Sequence, residues 1–574
     1  MAVAFETAFE RLMVRRLCFT TLSDTFSVTE PHQGTCPFIH HTTFTADRAP
    51  SGIYRDLFHS QSLAGTDHSH ALQPLVMEKP GVNVACEANE PEKSLHVAVI
   101  GAGLAGLRCA DILLQHGFRV TLIEGRDRLG GRVAQERLPN GHLVDLGPNW
   151  IHGTDDNPIL DLAKATGTAV GTWDESSYVF DENGNLFARQ ESERYSQIMW
   201  KMIQEAFEYS NTRCPDIPAE ESLLDFFRRK LPEHIPDTES DHLKDRTFVL
   251  QLAESWGAFV GSPVSTQSLR FFWLEECIDG ETLFCADTYR KILTTVARPA
   301  QAKATIMLGT KITRFDIRTS GCSRPRVHTE EGQTLEFDEV VCTAPLGWLK
   351  KNPDAFHPSL PDRLQQGIAA IGYGCLEKVY ISFPQPFWLT PDKTGRFLQG
   401  FCQWLAPKYA LDSNPTRWSQ ETVELASPSL GTSHPTLLFY IFGNESRFIT
   451  QQVSSLGTKQ ERDDFLRSFF KPYYSRLPQY DESSADCLPT AFLSTGWLHD
   501  DLAGNGSYCN FQTGLGRGDD DIRAMREGLP EGGLWFAGEH TAPFVALGTA
   551  TGAYWSGENV GRRIAEMHGR GPRA

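Results

Sequence analysis

The chain has 574 residues, which is too long for one hydrophobic core, so two domains are expected. Apolar residues make up 40% and aromatic residues 11% of the sequence, a composition typical of a globular protein and unlike that of a disordered chain. The formal net charge of -18 argues against a nucleic acid partner, because phosphates attract basic surfaces. The same charge suits a cationic small molecule, although many proteins are acidic merely to remain soluble.

No stretch of the sequence is long and apolar enough to predict a membrane-spanning helix. The N-terminal segment lacks the compact apolar stretch and small-residue cleavage site of a secretory signal. The 13 cysteines are scattered and never spaced C-x-x-C, which favours reduced thiols over disulfides or a zinc site. We therefore expect a cytoplasmic protein without a bound metal, with the peroxisome and the nucleus left open as locations.

Residues 1–94 differ from the rest because they are rich in His, Ser, Thr and Pro and show no sustained periodicity. This composition predicts a poorly ordered N-terminal extension, to which the sequence assigns no role. Four histidines in it leave metal binding as an alternative: His40, His41, His68 and His70. No acidic or cysteine partner lies at ligand spacing from them, so no metal site is predicted.

The segment "LHVAVIGAGLAGLRCADILLQHGFRVTLIE" has the order strand, glycine-rich turn, helix, strand. Its two short apolar runs are typical of buried parallel strands, and the apolar spacing between them predicts a helix that ends at Gly117. The turn contains Gly101, Gly103, Ala105 and Gly106. Gly101 permits a tight turn, Gly103 lets a pyrophosphate approach the backbone, and Gly106 lets helix and strand pack closely.

Glu124 ends the second strand, at the position from which a carboxylate accepts hydrogen bonds from the ribose hydroxyls of adenosine. A carboxylate there also repels a 2'-phosphate, so NADP is disfavoured. The unpaired N–H groups and the partial positive charge of the helix N-terminus attract a diphosphate. The segment therefore predicts a dinucleotide site.

The loop after Glu124, "GRDRLGGRV", is basic and rich in glycine. Arg126 and Arg132 are candidate cofactor ligands, with Arg132 pairing with the diphosphate, whereas Arg128 is equally compatible with a solvated loop. The order E-x-R-x-x-x-G-G-R resembles the signature of the flavin-containing amine oxidase family. The cofactor that this resemblance implies is FAD.

The C-terminal segment "GGLWFAGEHTAPFVALGTATGAYWSGENVGRRI" extends the resemblance. Its pattern predicts a strand, a loop and a helix that begins near Thr549. The resemblance implies that Glu539 binds the ribityl–diphosphate part of FAD and that the backbone of Ile312 meets the adenine. It also implies that the helix N-terminus at Thr549 points at the flavin, where a helix dipole stabilises the charge of the reduced ring.

Together these motifs predict an α/β protein in which a Rossmann-like FAD-binding domain, built on a parallel sheet, is interleaved with an α+β substrate-binding domain. The predicted boundaries are 95–155, 300–350 and 490–565 for the FAD-binding domain, 156–299 and 351–489 for the substrate-binding domain, and 566–574 for a C-terminal tail.

The segment "DLGPNWIHG" follows the Gly-Gly-Arg loop. The resemblance implies that four of its residues line the cofactor: Gly147, Pro148, Asn149 and Trp150. His152 matches a substrate-facing position, where a histidine orients the amine and influences its protonation state. Its apolar neighbours alone favour a structural role for His152.

The segment "CLEKVYISFPQPFW" alternates with a period of two, which places Val379, Ile381 and Phe383 on one face of a strand and Lys378 on the other. The pattern alone favours a solvated Lys378. The resemblance implies instead that Lys378 holds a water molecule against the flavin N5.

Tyr508, in "GNGSYCNF", matches one wall of the aromatic cage that frames the amine in the family. Two departures from the family pattern matter. Ser507 stands where monoamine oxidases carry a cysteine bonded covalently to FAD, so we predict noncovalent FAD. Thr549 stands where the second cage aromatic is expected, which leaves the cage half open and makes monoamine oxidase specificity doubtful.

Four acidic residues in the predicted substrate domain are candidates for binding distal amines of a polyamine: Glu254, Glu275, Glu276 and Asp279. A solvated charged face is the alternative for each of them. None is assigned a catalytic role.

Within this family the sequence most resembles the polyamine oxidases. This resemblance implies oxidation of a C–N bond of spermine, spermidine or an acetylated form. A hydride passes to flavin N5, and O₂ reoxidises the flavin, giving an aldehyde, a shortened amine and H₂O₂. The alternatives are a histone-lysine demethylase-like or other amine oxidase of the superfamily, and a noncatalytic FAD- or ligand-binding protein. The sequence indicates neither which C–N bond is cut nor the oligomeric state.

Overall fold

The computed structural model describes residues 95–173 and 178–571. The predicted N-terminal extension, 1–94, and its four candidate histidines, His40, His41, His68 and His70, lie outside the described residues, as do 572–574 of the predicted tail. The last helix continues to Met567, so the first residues of the predicted tail are helical.

Within these residues the strands are β1 (His96–Ile100), β2 (Arg119–Ile123), β3 (Gln135–Arg137), β4 (Leu143–Asp145), β5 (Trp150–His152), β6 (Tyr178–Phe180), β7 (Thr282–Phe284), β8 (Thr305–Met307), β9 (Ile312–Asp316), β10 (Arg326–Thr329), β11 (Thr334–Glu336), β12 (Glu339–Cys342), β13 (Phe356–His357), β14 (Gly372–Tyr373), β15 (Glu377–Ser382), β16 (Phe401–Trp404), β17 (Gln420–Glu424), β18 (Thr436–Ile441), β19 (Ala491–Ser494), β20 (Cys509–Asn510) and β21 (Leu534–Phe536). The α-helices are α1 (Leu104–Gln115), α2 (Pro158–Thr166), α3 (Arg189–Arg213), α4 (Leu223–His234), α5 (His242–Ala253), α6 (Gly257–Val260), α7 (Arg290–Lys303), α8 (Leu346–Lys351), α9 (Asp362–Ala370), α10 (Gly443–Ser455), α11 (Lys459–Tyr474), α12 (Gly518–Glu527) and α13 (Ala550–Met567).

A parallel sheet has the strand order β21-β12-β1-β2-β8. Because side chains alternate along a strand, Val97 and Val99 of β1 pack against helices α1, α7 and α13. Ala98 and Ile100 pack on the opposite side, against residues of β9, β10 and β13. The two apolar runs that predicted buried parallel strands form β1 and β2, and the helix predicted between them is α1, so this part of the sequence analysis is confirmed.

Helices α1 and α13 pack closely, with so little space between their backbones that a Cβ added to Gly557 would clash with the carbonyl oxygen of Ala105. Helix α13 is the helix predicted to begin near Thr549, and Thr549 is its N-terminal cap. This packing brings the N-termini of both helices, at Gly103 and Thr549, to one cavity.

A mixed sheet has the order β19-β15-β18-β17-β16-β6, in which only the β16–β6 pair is parallel. Val379, Ile381 and Phe383 face an apolar core that includes residues of α11, and Lys378 lies on the opposite face, as the period of two predicts. Helices α3 to α6 pack around a further apolar core. The two sheets and their helices confirm the predicted α/β class, while the domain boundaries stay a prediction.

None of the helices in 95–173 and 178–571 combines the length and the apolar character needed to cross a bilayer.

Candidate active site

A cavity of about 1190 Å³ lies between the carboxyl edge of the parallel sheet and one face of the mixed sheet. From the parallel sheet it is lined by Gly103, Thr343 and Glu539, which follow β1, β12 and β21. From the mixed sheet it is lined by Lys378 of β15 and Tyr440 of β18. Open parallel sheets bind ligands at the carboxyl ends of their strands, so the cavity lies where a nucleotide cofactor is expected.

Most of the predicted site residues line this one cavity: Gly103, Ala105, Arg132, Gly147, Pro148, Asn149, Trp150, His152, Lys378, Tyr508, Glu539 and Thr549. Five others are absent from its lining: Gly101, Gly106, Glu124, Arg126 and Ile312. The fold thus brings together residues that are separated by up to several hundred positions in the sequence.

The glycine-rich turn exposes the N-terminus of α1. Gly101 has a φ of +101°, which favours glycine, and a Cβ at Gly106 would clash with the carbonyl oxygen of Gly101. Buried Glu124 accepts hydrogen bonds from the backbone N–H of Ala102 at 2.7 Å and of Arg126 at 2.9 Å. Gly101, Gly106 and Glu124 therefore fix the conformation of the turn. The predicted contact between Glu124 and a ribose stays a prediction.

The N-terminus of α1 itself fits a diphosphate. No side chain caps the helix at Gly103, so the first N–H groups stay available for an anion. A Cβ added to Gly103 would find its nearest neighbour 3.9 Å away, at the carbonyl oxygen of Gly130, so there is open space in front of the backbone. An uncapped helix end that faces a cavity is the arrangement that the dinucleotide motif requires.

Arg132 and Glu539 form an ion pair of 3.0 Å at the wall of the cavity. The same guanidinium nitrogen donates to the backbone oxygen of Ser507, and the second oxygen of Glu539 accepts from the N–H of Cys509 at 3.3 Å. The pair therefore ties the loop after β2 to the segments around β20 and β21. The sequence analysis placed both residues at the cofactor but did not predict that they contact each other.

Arg126 and Ile312 lie elsewhere. Arg126 forms an ion pair with Asp500 at 2.9 Å, and Ile312 is buried at the start of β9 in the core under the parallel sheet. Their predicted contacts with the cofactor stay predictions.

Lys378 is buried, with 5% of its surface exposed, and its Nζ donates to the backbone oxygens of Gly147 and, at 3.4 Å, of Asp145. Burial lowers the pKa of Lys378, and burial raises the pKa of the neighbouring Asp145 carboxyl. The Lys378 Nζ lies 5.9 Å from the centre of the Tyr440 ring. The solvated lysine favoured by the strand pattern alone is wrong, because this face of the sheet is covered by the 145–150 segment.

Two tyrosines hold the 145–150 segment against the mixed sheet. The Tyr380 hydroxyl donates to the backbone oxygen of Asp145 at 2.6 Å and accepts from the Asn149 amide at 3.3 Å. The Tyr440 hydroxyl donates to the Oδ1 of Asn149 at 3.2 Å and accepts from the Trp150 indole N–H at 2.9 Å. Gly147, Pro148 and the residues beside them are thereby fixed in front of the cavity.

His152 ends β5, which pairs with β7, and its side chain lines the cavity. Burial lowers the pKa of His152 to about 4, so the imidazole is neutral near pH 7. Its ring makes no hydrogen bond with any residue that the structure describes. A neutral imidazole at this wall offers one donor and one acceptor to a ligand without repelling a cation.

Tyr508 and Thr549 both line the cavity. The Tyr508 hydroxyl donates to the backbone oxygen of Phe259 at 2.6 Å, which fixes the ring. The Thr549 hydroxyl accepts from the N–H of Gly552 at 2.9 Å and donates to the backbone oxygen of Ala546 at 2.7 Å, so it serves the helix cap. Thr549 adds no aromatic wall opposite Tyr508.

Aromatic side chains nevertheless cover much of the cavity wall: Trp150, Trp173, Trp200, Phe207, Trp256, Phe259, Phe401, Tyr440, Trp497 and Tyr508. Carboxylates other than Glu539 line it as well: Asp155, Glu275, Glu276, Asp279, Glu281 and Glu421. Three of the four predicted acidic residues are among them, and Glu254 is not. Since Lys378 and Arg132 are the only lysine or arginine in the lining, acidic side chains outnumber basic ones on the described wall, which favours a cationic ligand.

A model of the family described as flavin containing amine oxidoreductase matches residues 104–565. The chain belongs to this family. The resemblance noted from the "GAGLAG" and "GRDRLGGRV" segments is thereby confirmed, and a flavin is the family's cofactor.

Relatives in this family include polyamine oxidase 2 of Arabidopsis thaliana, which is 26% identical over 83% of this chain and 90% of its own length. Lysine-specific histone demethylase 1 homolog 3 of Oryza sativa subsp. indica is 27% identical over 82% of this chain but only 54% of its own length. Among solved structures, cyclohexylamine oxidase from Brevibacterium oxydans IH-35A superposes with a TM-score of 0.60 at 18% identity, covering 83% of this chain and all of that one. The last similarity shows the fold.

Several residues of this amine oxidoreductase site were missed by the sequence analysis, above all Tyr440, Tyr380, Asp145 and Glu421. Tyr380 and Tyr440 lie on β15 and β18, which pair with each other although they are far apart in the sequence. Asp145 and Glu421 lie on strands with nearby partners, and no pattern in the sequence indicated that they belong to this site. The one available signal was the alternation along β15, which indicates the cavity side of that strand but not which residues of other strands lie beside it.

Proposed function

We propose that this flavin-dependent amine oxidoreductase binds FAD noncovalently and oxidises a C–N bond of a polyamine, such as spermine, spermidine or an acetylated form. The observation that supports the proposal most strongly is a single cavity in which an uncapped helix N-terminus, a buried lysine and an acidic, aromatic wall meet. The proposal is also supported by relatives named as polyamine oxidases that align over most of their length.

The residues that would hold FAD are those of the dinucleotide edge. The N–H groups after Gly103 and the Arg132 guanidinium would bind the diphosphate, and Glu539 keeps Arg132 in place at 3.0 Å. When bound, FAD supplies the two-electron oxidation of the amine, and O₂ is the final electron acceptor.

Noncovalent attachment is supported by the side chains around Tyr508. Ser507 has a hydroxyl, which accepts a hydrogen bond from the Leu376 N–H at 3.2 Å, and therefore has no thiol that could form a covalent bond to the flavin. Burial raises the pKa of the Cys509 thiol well above its usual range, so its reactive thiolate is not populated at neutral pH.

The chain's own residues have separate tasks in the oxidation. Burial lowers the pKa of Lys378 to about 7, and in its uncharged form, with its two N–H groups directed at the backbone oxygens of Gly147 and Asp145, the amine can hold a water molecule through its lone pair. Neutral His152 can accept a hydrogen bond from an amine N–H. The aromatic wall around Tyr508 excludes bulk water and favours a cationic or lone-pair nitrogen at a ring face.

Anaerobic mixing of the FAD-loaded protein with spermine, spermidine, their acetylated forms and a monoamine tests this function. We expect the flavin absorbance to bleach faster with a polyamine than with the monoamine. Bleaching with no amine would contradict the proposal and favour a noncatalytic flavin-binding protein, and faster bleaching with the monoamine would favour another amine oxidase.

A second candidate is supported by the 27% identity to a lysine-specific histone demethylase homolog. Its substrate would be a methylated lysine side chain in a peptide. A methyl-lysine peptide belongs in the same bleaching series, and reduction by that peptide alone would replace the polyamine proposal.

A further inference from the structure

A row of polar side chains crosses the mixed sheet on the side of the cavity. Lys378, Tyr440, Glu421 and Gln403 are successive cross-strand partners on β15, β18, β17 and β16. Directly paired residues of neighbouring strands point to the same face of a sheet. Lys378, Tyr440 and Glu421 all line the cavity, so the row leads from the buried lysine along its wall.

Only one of the two carboxylate oxygens of Glu421 accepts a hydrogen bond from a described residue. It is 9% exposed, and its Oε2 accepts a hydrogen bond from the Gln403 amide at 2.7 Å. Among the described residues no group donates to Oε1. Burial raises the pKa of Glu421 to about 7, which reflects the cost of keeping this charge away from water without a cation.

The cavity wall beside Glu421 and Tyr440 is aromatic. The Phe401 ring stacks on Trp150 with centroids 5.9 Å apart and planes 14° apart, and the Trp150 indole N–H donates to the Tyr440 hydroxyl at 2.9 Å. A surface of ring faces and edges suits the methylene chain that connects two nitrogens, because it removes apolar surface from water.

We propose that Glu421 is a specificity-determining residue that binds the distal ammonium of a di- or polyamine whose reacting nitrogen lies at the Lys378 and Tyr508 end of the cavity. The inference rests on the proposed function, whose substrate requirement it specifies. Two strand spacings of about 4.8 Å separate β15 from β17, so the distal ammonium lies on the order of 10 Å from the Lys378 end. A monoamine that reacts at Lys378 has no group to place at Glu421.

The test compares wild-type holoenzyme with Glu421→Gln on a series of α,ω-diamines and on n-alkylamines of matched length. A glutamine at this position keeps an oxygen for the Gln403 amide and removes the charge. We expect kcat/KM for the diamines to fall about 10- to 100-fold, mainly through KM, because a charge-assisted hydrogen bond is lost. The kcat/KM for the n-alkylamines should fall far less or should rise, because their apolar end then meets a neutral amide in place of a carboxylate.

Two further variants sharpen the result. Glu421→Asp keeps the charge but withdraws it from the cavity, so the preferred diamine should become longer. Glu281→Gln removes the same charge from an exposed position in the lining, and it should affect diamines and n-alkylamines alike. Circular dichroism and flavin content establish that each variant folds.

The inference is overturned if Glu421→Gln lowers kcat/KM equally for both amine series, or if it leaves the diamines unaffected. A wild-type protein that oxidises no amine would refute the proposed function without deciding the role of Glu421. Calorimetric titration of the reduced holoenzyme with a diamine then decides it: weaker binding to Glu421→Gln than to wild type supports the inference, and equal binding overturns it.

Discussion

Replacing Lys378 by methionine removes the buried nitrogen and keeps an apolar stem of similar length. Its Nζ donates to the backbone oxygens of Gly147 and Asp145, and a buried carbonyl left without a donor costs about 1–3 kcal/mol. Part of this cost is offset because burial already disfavours the charged lysine. The Tyr380 hydroxyl still holds the Asp145 oxygen at 2.6 Å, so the 145–150 segment keeps its place and FAD stays bound.

The effect on the reaction is expected to exceed the effect on stability. A positioned group that moves or holds a proton contributes about 10²–10⁴-fold, so Lys378→Met should slow flavin reduction by a polyamine at least about 100-fold. Anaerobic stopped-flow absorbance measures this rate, and the flavin-to-protein ratio measures retention of FAD.

Lys350 provides a control, because it is half-buried and also donates to two backbone oxygens, of Ile368 and Ala369, but it lies outside the cavity lining. Lys350→Met should leave the rate of flavin reduction unchanged. Loss of FAD from Lys378→Met, or equal slowing in both variants, would refute the assignment of Lys378.

Three further outcomes are expected. Because Ser507 offers no thiol, acid precipitation should release the flavin into solution, and yellow colour in the pellet would contradict noncovalent binding. Glu539→Gln should weaken FAD binding about 10- to 100-fold, because it leaves the Arg132 guanidinium without its carboxylate at 3.0 Å; fluorescence titration with FAD measures this, and an unchanged Kd would make the pair purely structural. Burial lowers the pKa of His152 to about 4 from the ordinary 6.5, so the unfolded chain takes up protons first as the pH falls through this window and the free energy of unfolding declines. Urea unfolding between pH 6.5 and 4 should therefore show that the free energy of unfolding declines less for His152→Gln than for wild type, by on the order of 2–3 kcal/mol at pH 4. An equal decline in the two proteins would mean that the imidazole is exposed to water and contradict its burial.

The parallel sheet could be predicted because its signals are local. β1, the glycine turn, α1 and β2 follow one another within one segment, and each was indicated by its own residues. The same holds for α13, whose capping residue Thr549 stands at the predicted start of the helix. Sequence alone could not indicate that Arg126 pairs with Asp500, because that contact depends on where a distant loop comes to lie.

The substrate side of the cavity was harder to predict for the same reason. Alternation along β15 indicates which residues share a face, but not that Tyr440 lies beside Lys378 or that Glu421 lies beyond Tyr440. A shift by one residue in either pairing would have turned these side chains into the core. Glu254 shows the converse case, since this acidic residue of the same segment as Glu275 and Glu276 is absent from the cavity lining.

The 145–150 segment connects the two sheets at the site, because it contacts the cofactor edge on one side and the mixed sheet on the other. A Cβ at Gly147 would clash with the backbone oxygen of Arg132, so the segment lies against the loop that faces the cofactor edge. Its other side is bound by Lys378 and Tyr440 of the mixed sheet. Changes in this segment should therefore alter cofactor binding and amine oxidation together. Changes farther along the polar row, at Glu421, should alter mainly which amine is chosen, because Tyr440 separates Glu421 from Lys378 in that row.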